Sequence, residues 1–234
     1  MGEGFEAVDA VPRLLGQQAA AGELTAGLLP LADFFRLQEQ FERLGPFGIG
    51  VRGRAHSVLL FSRRPVRQLD GATIAVTDET STTAVLLRLL LEQRYHLTPA
   101  SYERVSGTSA PQDALLLIGD EALRFQHGNK QYPFEIDLAF EWWLWQHLPF
   151  VFAVWAIRSD AAAGIKKQLE TALSGTLGKN QSRLDVLAAE HAPSLGIPVE
   201  QLTAYLSAFI YRLSKPEEQG IARFKELVDE FHLL

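Results

Sequence analysis

Four consecutive hydroxyl side chains are the residues best suited to chemistry in this sequence: Thr80, Ser81, Thr82 and Thr83. They follow a β-branched run at residues 73–77, which predicts a strand, and precede a leucine-rich run at residues 84–95, which predicts a helix. A helix N-terminus has unpaired backbone N–H groups and carries about half a positive charge. Hydroxyls and N–H groups directed at one point would bind a carboxylate or a phosphate. We therefore predict an anion-binding site at this turn.

A structural role would account for one of these hydroxyls, because serine or threonine commonly caps a helix N-terminus. Thr80 or Ser81 would be that cap. Four hydroxyls exceed what one cap requires, and ligands of open α/β sheets bind beyond the carboxyl ends of the strands. The four hydroxyls are therefore candidates for contact with a ligand.

Two further polar residues are expected near the same edge of the sheet. Asp120 follows a second apolar strand, at residues 114–118, where it could orient a substrate hydroxyl or only cap the next helix. Ser57 opens the apolar run SVLLFS beside His56. There it could make a polar contact at the floor of a cleft, or it could have a purely structural role.

Metal, thiol and nucleotide chemistry find little support in the sequence. It has no cysteine, which excludes thiolate nucleophiles, iron–sulfur clusters and Cys-based zinc sites. The six histidines show no His-x-x-x-His or His-x-Glu spacing, so we predict no metal site. Gly48-x-Gly50-x-x-Gly53 spells the dinucleotide fingerprint, but it follows a predicted helix and leads into a strand, the reverse of the required order.

The composition is that of a globular chain of 234 residues, 47% hydrophobic and 21% charged, long enough for one large domain or two small ones. A net charge of −6 without a basic block argues against a nucleic-acid partner. No apolar run approaches the roughly 20 residues that cross a membrane, so no membrane partner is expected. The start of the chain is acidic, unlike a secretory signal, and we expect a cytoplasmic protein.

The elements that must position these residues predict an α/β fold. The strand, helix and second strand around the four hydroxyls imply a parallel pair with a right-handed crossover. Before them we predict a helix over residues 11–22, a strand over 24–29 and a helix over 31–44. After residue 158 the apolar spacing is helical, with predicted helices over residues 161–173, 181–192, 198–211 and 216–233.

No flexible linker interrupts the chain, so two lobes would have to be joined by ordered strands. Residues 57–62 and 150–157 are the two candidates for these joining strands, because the pattern of residues along the chain changes at both.

Short strings spread along nearly the whole chain carry a family resemblance. They include Ser57-Val-Leu-Leu-Phe-Ser62, Leu69-Asp-Gly71, Ile74-Ala-Val-Thr-Asp-Glu-Thr-Ser81, Leu117-Ile-Gly-Asp-Glu-Ala-Leu123 and Leu148-Pro-Phe-Val-Phe-Ala-Val-Trp155. In this order they resemble the menaquinone-biosynthesis protein family, and most closely the chorismate dehydratase branch of the futalosine pathway.

The resemblance implies a periplasmic-binding-protein type II fold, in which two α/β lobes joined by two strands hold the ligand in a cleft. In this chain, residues 1–61 and 156–234 would form lobe 1, and residues 62–155 would form lobe 2. The resemblance also implies that the protein is a carbon–oxygen lyase that uses no metal and no organic cofactor. That enzyme removes water from its substrate, the dicarboxylate chorismate, and forms 3-[(1-carboxyvinyl)oxy]benzoate.

The resemblance also assigns site residues by position. Ser57 matches a position in the family cleft and is our catalytic candidate. Thr80, Ser81 and Thr82 match further cleft positions as substrate-binding residues, and Asp120 is added to them. Because the chain offers no obvious His or Cys base, a carboxylate of the substrate could accept the proton that is lost.

The chain departs from the family pattern at its N-terminus. The family begins with a strand whose following turn carries Tyr-x-Asn, and that asparagine faces the substrate. Here no asparagine precedes Asn129. The sequence therefore predicts that the N-terminal strand region of the family is missing from this chain.

Two alternative functions stay open. The later, naphthoate-forming enzyme of the same pathway shares the fold and typically offers a histidine base, for which His56 and His127 are the candidates. A noncatalytic solute-binding protein that captures an aromatic carboxylate is the other alternative. Turnover of chorismate would separate the dehydratase from both.

Overall fold

The part of the chain that the structure describes contains nine strands and nine α-helices, besides a short 3-10 helix (Val66–Gln68) and a π-helical turn (Leu90–Arg94). The structure is a computed structural model that describes residues 5–106 and 112–234. The strands are β1 (Ala26–Pro30), β2 (Phe41–Val51), β3 (Val58–Ser62), β4 (Thr73–Thr77), β5 (Ser101–Val105), β6 (Ala114–Ile118), β7 (Phe134–Asp137), β8 (Phe150–Arg158) and β9 (Phe209–Arg212). The helices are α1 (Pro12–Ala20), α2 (Leu31–Arg36), α3 (Thr82–Leu89), α4 (Gly119–Gly128), α5 (Leu138–Gln146), α6 (Ala163–Gln181), α7 (Leu184–Leu195), α8 (Val199–Ala208) and α9 (Lys215–Glu230).

The first sheet has the strand order β1-β8-β2-β9, and every neighbouring pair in it is antiparallel. The apolar strand β8 lies inside this sheet because it needs a hydrogen-bonding partner on both sides. Gly48 of β2 is so close to β8 that a Cβ there would lie 2.6 Å from the carbonyl oxygen of Ala153. Gly48 therefore allows β2 to pair closely with β8. Gly48 and Gly50 lie within a strand, and not between a helix and a strand as the sequence predicted.

The second sheet has the strand order β5-β4-β6-β3-β7. Strand β4 is parallel to both β5 and β6, which confirms the predicted parallel pair. Strand β3 is antiparallel to β6 and to β7. All five residues of β3 are buried, as are the side chains of β6 up to Leu117, so these apolar runs lie in the middle of the sheet.

One hydrophobic core connects the two sheets. It includes residues of β3, β4 and β6 from the second sheet, and of β8, α2 and α9 from the other part of the chain. Trp142 is fully buried, and its ring packs edge-on against Phe150 and Phe224 at centroid distances of 5.4 and 5.9 Å. This aromatic cluster packs α5 and α9 against the start of β8.

The chain passes from the first sheet to the second between β2 and β3, and returns between β7 and β8. The two segments predicted to join lobes correspond to β3 and β8, and each of these strands pairs within a single sheet. Strand β3 is the first strand after the chain enters the second sheet, and β8 is the first after it returns to the first sheet. Within residues 5–106 and 112–234, no helix is long and apolar enough to span a membrane.

Candidate functional site

The candidate site lies where three central strands of the second sheet end or begin on the same side. We call this row of strand ends the shared edge. It is formed by the C-terminal ends of β4 and β6 and by the start of β3. The parallel pairing of β4 and β6 brings residues 77 and 119 to this edge, and the antiparallel pairing of Val58 with Ile118 brings Ser57 there. Ser57 is two strands away from the end of β4, a separation of about 10 Å. A small dicarboxylate could span that distance.

The backbone around Ser57 is fixed on two sides. The carbonyl oxygen of Ser57 accepts a hydrogen bond of 2.8 Å from the backbone N–H of Gly119. His56, with a left-handed φ of 62°, donates its backbone N–H to Oδ2 of Asp137 at 2.7 Å. The other oxygen of Asp137 accepts from the N–H of Phe140 at 3.1 Å and so caps α5. Asp137 therefore connects α5 to the turn that presents Ser57.

Burial raises the pKa of Asp137 above its usual value, and the backbone N–H groups of His56 and Phe140 oppose the rise. We expect Asp137→Ala to reduce the free energy of unfolding by about 3 kcal/mol, because it leaves two backbone N–H groups unpaired and removes a helix cap. Thermal or urea unfolding measures this loss. Asp120→Ala is the control, since the side chain of Asp120 is 67% exposed and its removal should change the free energy by less than about 0.5 kcal/mol. Equal effects of the two substitutions would contradict the role of Asp137.

The hydroxyl group of Ser57 contacts Tyr205 of α8. The two hydroxyl oxygens are 2.9 Å apart, and Ser57 is only 3% exposed. Helices α7 and α8 reach this position because they pack against α4 through one apolar cluster, which contains Leu123, Ala188, Ala192, Leu195, Ile197 and Leu202. Sequence analysis did not identify Tyr205 as a site residue, since 148 positions separate it from Ser57.

The connection between β4 and α3, residues 77–83, forms what we call the hydroxyl turn. Ser81 is the residue before the first turn of α3, but its side chain makes no capping hydrogen bond. Its Oγ is buried and has no hydrogen-bond partner among the described residues, and the residue is 8% exposed. A buried hydroxyl without a partner is costly, so this oxygen at a positive helix end is suited to a ligand that binds there.

The other two predicted hydroxyls already have protein partners. Thr80 accepts a hydrogen bond of 3.3 Å from the backbone N–H of Thr83, and the two threonine hydroxyls contact each other. Oγ1 of Thr82 accepts a hydrogen bond of 3.1 Å from the backbone N–H of Ala32 in α2. Thr80 therefore stabilises the helix end, and Thr82 attaches the hydroxyl turn to α2. Of the three, Ser81 is the one whose hydroxyl has no hydrogen-bond partner among the described residues.

Two guanidinium groups support the backbone of the hydroxyl turn. Arg104 of β5 donates from one nitrogen to the carbonyl oxygens of Thr77 and Thr80, at 3.0 and 2.6 Å. Arg13 of α1 donates its Nε to the carbonyl oxygen of Asp78 at 2.6 Å. Burial lowers the pKa of Arg104, as does the neighbouring Arg13, but a guanidinium remains charged near neutral pH. The carboxylate of Asp78 in the same turn lies 3.9 Å from Nη2 of Arg13, so it offsets part of the positive charge that the two guanidinium groups bring.

The carboxylates at the start of α4 differ in their surroundings. Asp120 is on the surface, 3.5 Å from Nη2 of Arg124. Glu121 lies nearer the end of β4, where Oγ1 of Thr77 donates to its carboxylate at 3.4 Å. Burial raises the pKa of Glu121, and the negative charge of Glu79 raises it further. The sequence pointed to Asp120, whereas its neighbour Glu121 has the contact with the hydroxyl turn.

The histidines are not organised as a metal centre in the described residues. Among residues 5–106 and 112–234 there is no group of three or more His, Asp or Glu side chains that could hold a metal ion. The side chain of His56 is exposed, and it is the backbone of this residue that contacts Asp137. The side chain of His127 lies outside the described part of the structure.

Two surface grooves lie away from the shared edge. One is lined by Glu92, Gln93, His96, Leu97, Thr98 and Pro99, and the other by Phe47, Glu170, Thr171, Ser174, Gly175 and Arg212. Neither contains Ser57 or a residue of the hydroxyl turn. They are useful as alternative positions against which the candidate site can be tested.

Comparison with known proteins places this fold and sequence among characterised relatives. The family described as menaquinone biosynthesis matches residues 1–230. The chorismate dehydratase of Thermus thermophilus is 32% identical over an alignment 243 positions long, which covers 96% of this chain and 87% of that protein.

Solved structures show the same fold at lower sequence identity. A protein from Archaeoglobus fulgidus superposes with a TM-score of 0.72 at 17% identity, covering 97% of this chain and 86% of the other. The periplasmic aliphatic sulphonate binding protein of Escherichia coli superposes with a TM-score of 0.63 at 14% identity, covering 96% and 80%. These similarities confirm the predicted α/β fold of the periplasmic-binding-protein type. Since its sequence matches the family over residues 1–230, this chain belongs to the menaquinone biosynthesis family.

Proposed function

We propose that this chain is a chorismate dehydratase, a carbon–oxygen lyase that converts chorismate to 3-[(1-carboxyvinyl)oxy]benzoate and water. The proposal is supported by membership of the menaquinone biosynthesis family and by the similarity to the Thermus thermophilus enzyme. Within the structure, the observation that carries it is the buried hydroxyl of Ser81, which has no partner among the described residues and lies at the N-terminus of α3. A carboxylate of chorismate would supply that partner.

The reaction makes modest demands on the protein. The bond between a ring carbon and its hydroxyl oxygen breaks, a neighbouring ring carbon loses a proton, and the electron pair of that C–H bond completes an aromatic ring. The stability of the aromatic product drives the elimination. The protein has to hold a dicarboxylate in place, stabilise the departing oxygen by hydrogen bonding and leave a route for one proton.

The residues of the shared edge are suited to these tasks. The hydroxyl turn, with Ser81 and the two guanidinium groups behind its backbone, would bind one carboxylate. Ser57, about 10 Å away across the sheet, would donate a hydrogen bond to the departing hydroxyl. The proton would pass to a carboxylate of the substrate itself. In this proposal the substrate lies between a lobe built on the first sheet and a lobe built on the second. The predicted boundaries, after residues 61 and 155, fall inside β3 and β8, each of which pairs within a single sheet.

The test is to incubate the purified chain with chorismate and to follow product formation by liquid chromatography and mass spectrometry. We expect a product lighter than chorismate by one water molecule, with the retention time and spectrum of synthetic 3-[(1-carboxyvinyl)oxy]benzoate. Binding of chorismate in a calorimeter without any product would contradict the proposal and favour a solute-binding role. The naphthoate-forming alternative has less support, because the side chain of His56, one of its two candidate bases, is exposed.

A further inference from the structure

The hydroxyl groups of Ser57 and Tyr205 form an isolated pair. Their oxygens are 2.9 Å apart, and among the described residues neither oxygen has another hydrogen-bond partner. Two hydroxyls carry two O–H hydrogens, and the bond between them uses one. Whichever oxygen is the donor, the pair keeps one O–H that can be donated to a third oxygen.

Tyr205 is held in a defined position. Its ring packs edge-on against Phe209 at a centroid distance of 5.1 Å, and it borders the apolar cluster that attaches α7 and α8 to α4. Side chains in such packed surroundings keep one rotamer. A serine hydroxyl by itself rotates freely. When the Tyr205 phenol donates to Oγ of Ser57, that bond restricts the rotation and leaves the Ser57 O–H to be donated to the substrate.

We propose that Tyr205 is a positioning residue for the dehydration, because it orients the Ser57 hydroxyl so that one O–H of the pair points to the departing oxygen of the substrate. This inference rests on the proposed function. Tyr205 acts through Ser57, and its effect should therefore appear in the chemical step.

The electrostatic surroundings agree with a hydrogen-bonding role for Tyr205. Burial raises the pKa of its phenol above the usual value of 10.0, the charge of Asp120 raises it further, and the hydrogen bond with Ser57 opposes the rise. The phenol therefore keeps its proton near neutral pH. It can orient Ser57 without itself becoming charged.

The experiment compares Tyr205→Phe with Tyr211→Phe in the full chain, using chorismate as substrate. Tyr211 is a matched control because it is close to Tyr205 and its hydroxyl donates to the carbonyl oxygen of Leu206 at 3.1 Å instead. We expect Tyr205→Phe to lower kcat about tenfold while KM changes less than about twofold. Tyr211→Phe should leave kcat within about twofold of the wild type.

A double-mutant cycle with Ser57→Ala then separates positioning from a general structural effect. If Tyr205 acts through Ser57, adding Tyr205→Phe to Ser57→Ala should cause no further loss of kcat. Losses that multiply, or equal kcat values for the two phenylalanine variants, would overturn the inference. A Tyr205→Phe chain that a thermal melt shows to be already unfolded at the assay temperature would also overturn the inference, because the hydroxyl pair would then have a structural role. A wild-type chain that forms no product would instead contradict the proposed function itself.

Discussion

Replacing Ser57 with alanine is expected to lower kcat for chorismate about 100-fold, with a smaller change in KM. Loss of a hydrogen-bond donor to an oxygen that gains charge in the transition state commonly has an effect of this size. Ser57 is placed for this role at the shared edge, where the N–H of Gly119 holds its backbone and Tyr205 contacts its hydroxyl. Steady-state kinetics with purified Ser57→Ala measure the change.

Ser62→Ala is the matched control for this prediction. Ser62 is at the other end of β3, is equally buried at 3% exposure, and donates its hydroxyl to the carbonyl oxygen of Arg64 at 2.6 Å. Its replacement should cost about 1 kcal/mol of unfolding free energy and leave kcat within about twofold of the wild type. If Ser57→Ala and Ser62→Ala had the same kcat, Ser57 would have no part in the chemistry.

Replacing Ser81 with alanine is expected to raise KM for chorismate at least about tenfold while kcat stays within about twofold. A hydrogen bond to a charged group contributes about 1.5–3 kcal/mol, and its loss weakens the ground state and the transition state alike. The stability of the free protein should not fall, because Oγ of Ser81 has no partner to lose among the described residues.

Thr82→Val provides the contrast for the stability part of this prediction. Its hydroxyl accepts from the backbone N–H of Ala32, so its removal leaves a buried N–H unpaired and should cost about 1–3 kcal/mol. Unfolding curves of the two variants therefore distinguish the free hydroxyl from the bonded one. A destabilised Ser81→Ala with an unchanged KM would show that Ser81 is a structural residue.

The sequence predicted the centre of the second sheet well, because local pattern and tertiary structure agree there. The β-branched run of β4, the leucines of α3 and the apolar run of β6 were all predicted, and the parallel pairing of the two strands is confirmed. The outer strand β5 was missed. Its side chains are only partly buried or exposed, so the run has no apolar pattern to mark it.

The predicted helix over residues 31–44 was wrong in its second half. Helix α2 ends at Arg36, and the strand β2 begins at Phe41. Phe34, Leu37 and Phe41 have helical spacing, but Phe41 and the residues after it pair with β8 instead. The free hydrogen-bonding edge of the apolar strand β8 outweighs the local preference, and a pattern of apolar residues carries no information about that distant partner.

The same cause explains the end of α8. The predicted helix over residues 198–211 ends at Ala208, and Phe209–Arg212 form β9 along the other edge of β2. Phe209, Ile210 and Tyr211 are β-prone residues beside an unpaired strand. This change of element ends α8 shortly after Tyr205, so the residue that contacts Ser57 depends on a strand that the apolar spacing does not predict.

The residue types indicated an anion site, but they could not show which hydroxyl lacks a hydrogen-bond partner in the folded chain. The distinction between Ser81 and Thr82 depends on a contact with Ala32, 50 positions away in the sequence. Likewise, the contact of Thr77 with Glu121 follows from the way β4 and β6 end side by side. Such contacts arise from the fold, and a single sequence contains no direct signal for them.

The most direct test of the site is a crystal structure of the chain with 3-[(1-carboxyvinyl)oxy]benzoate. We predict that one carboxylate oxygen of this compound lies within about 3.2 Å of Oγ of Ser81, and that the ring extends along the sheet edge toward Ser57. A ligand found in the groove between Glu92 and Pro99, with the hydroxyl of Ser81 still unpartnered, would contradict the account.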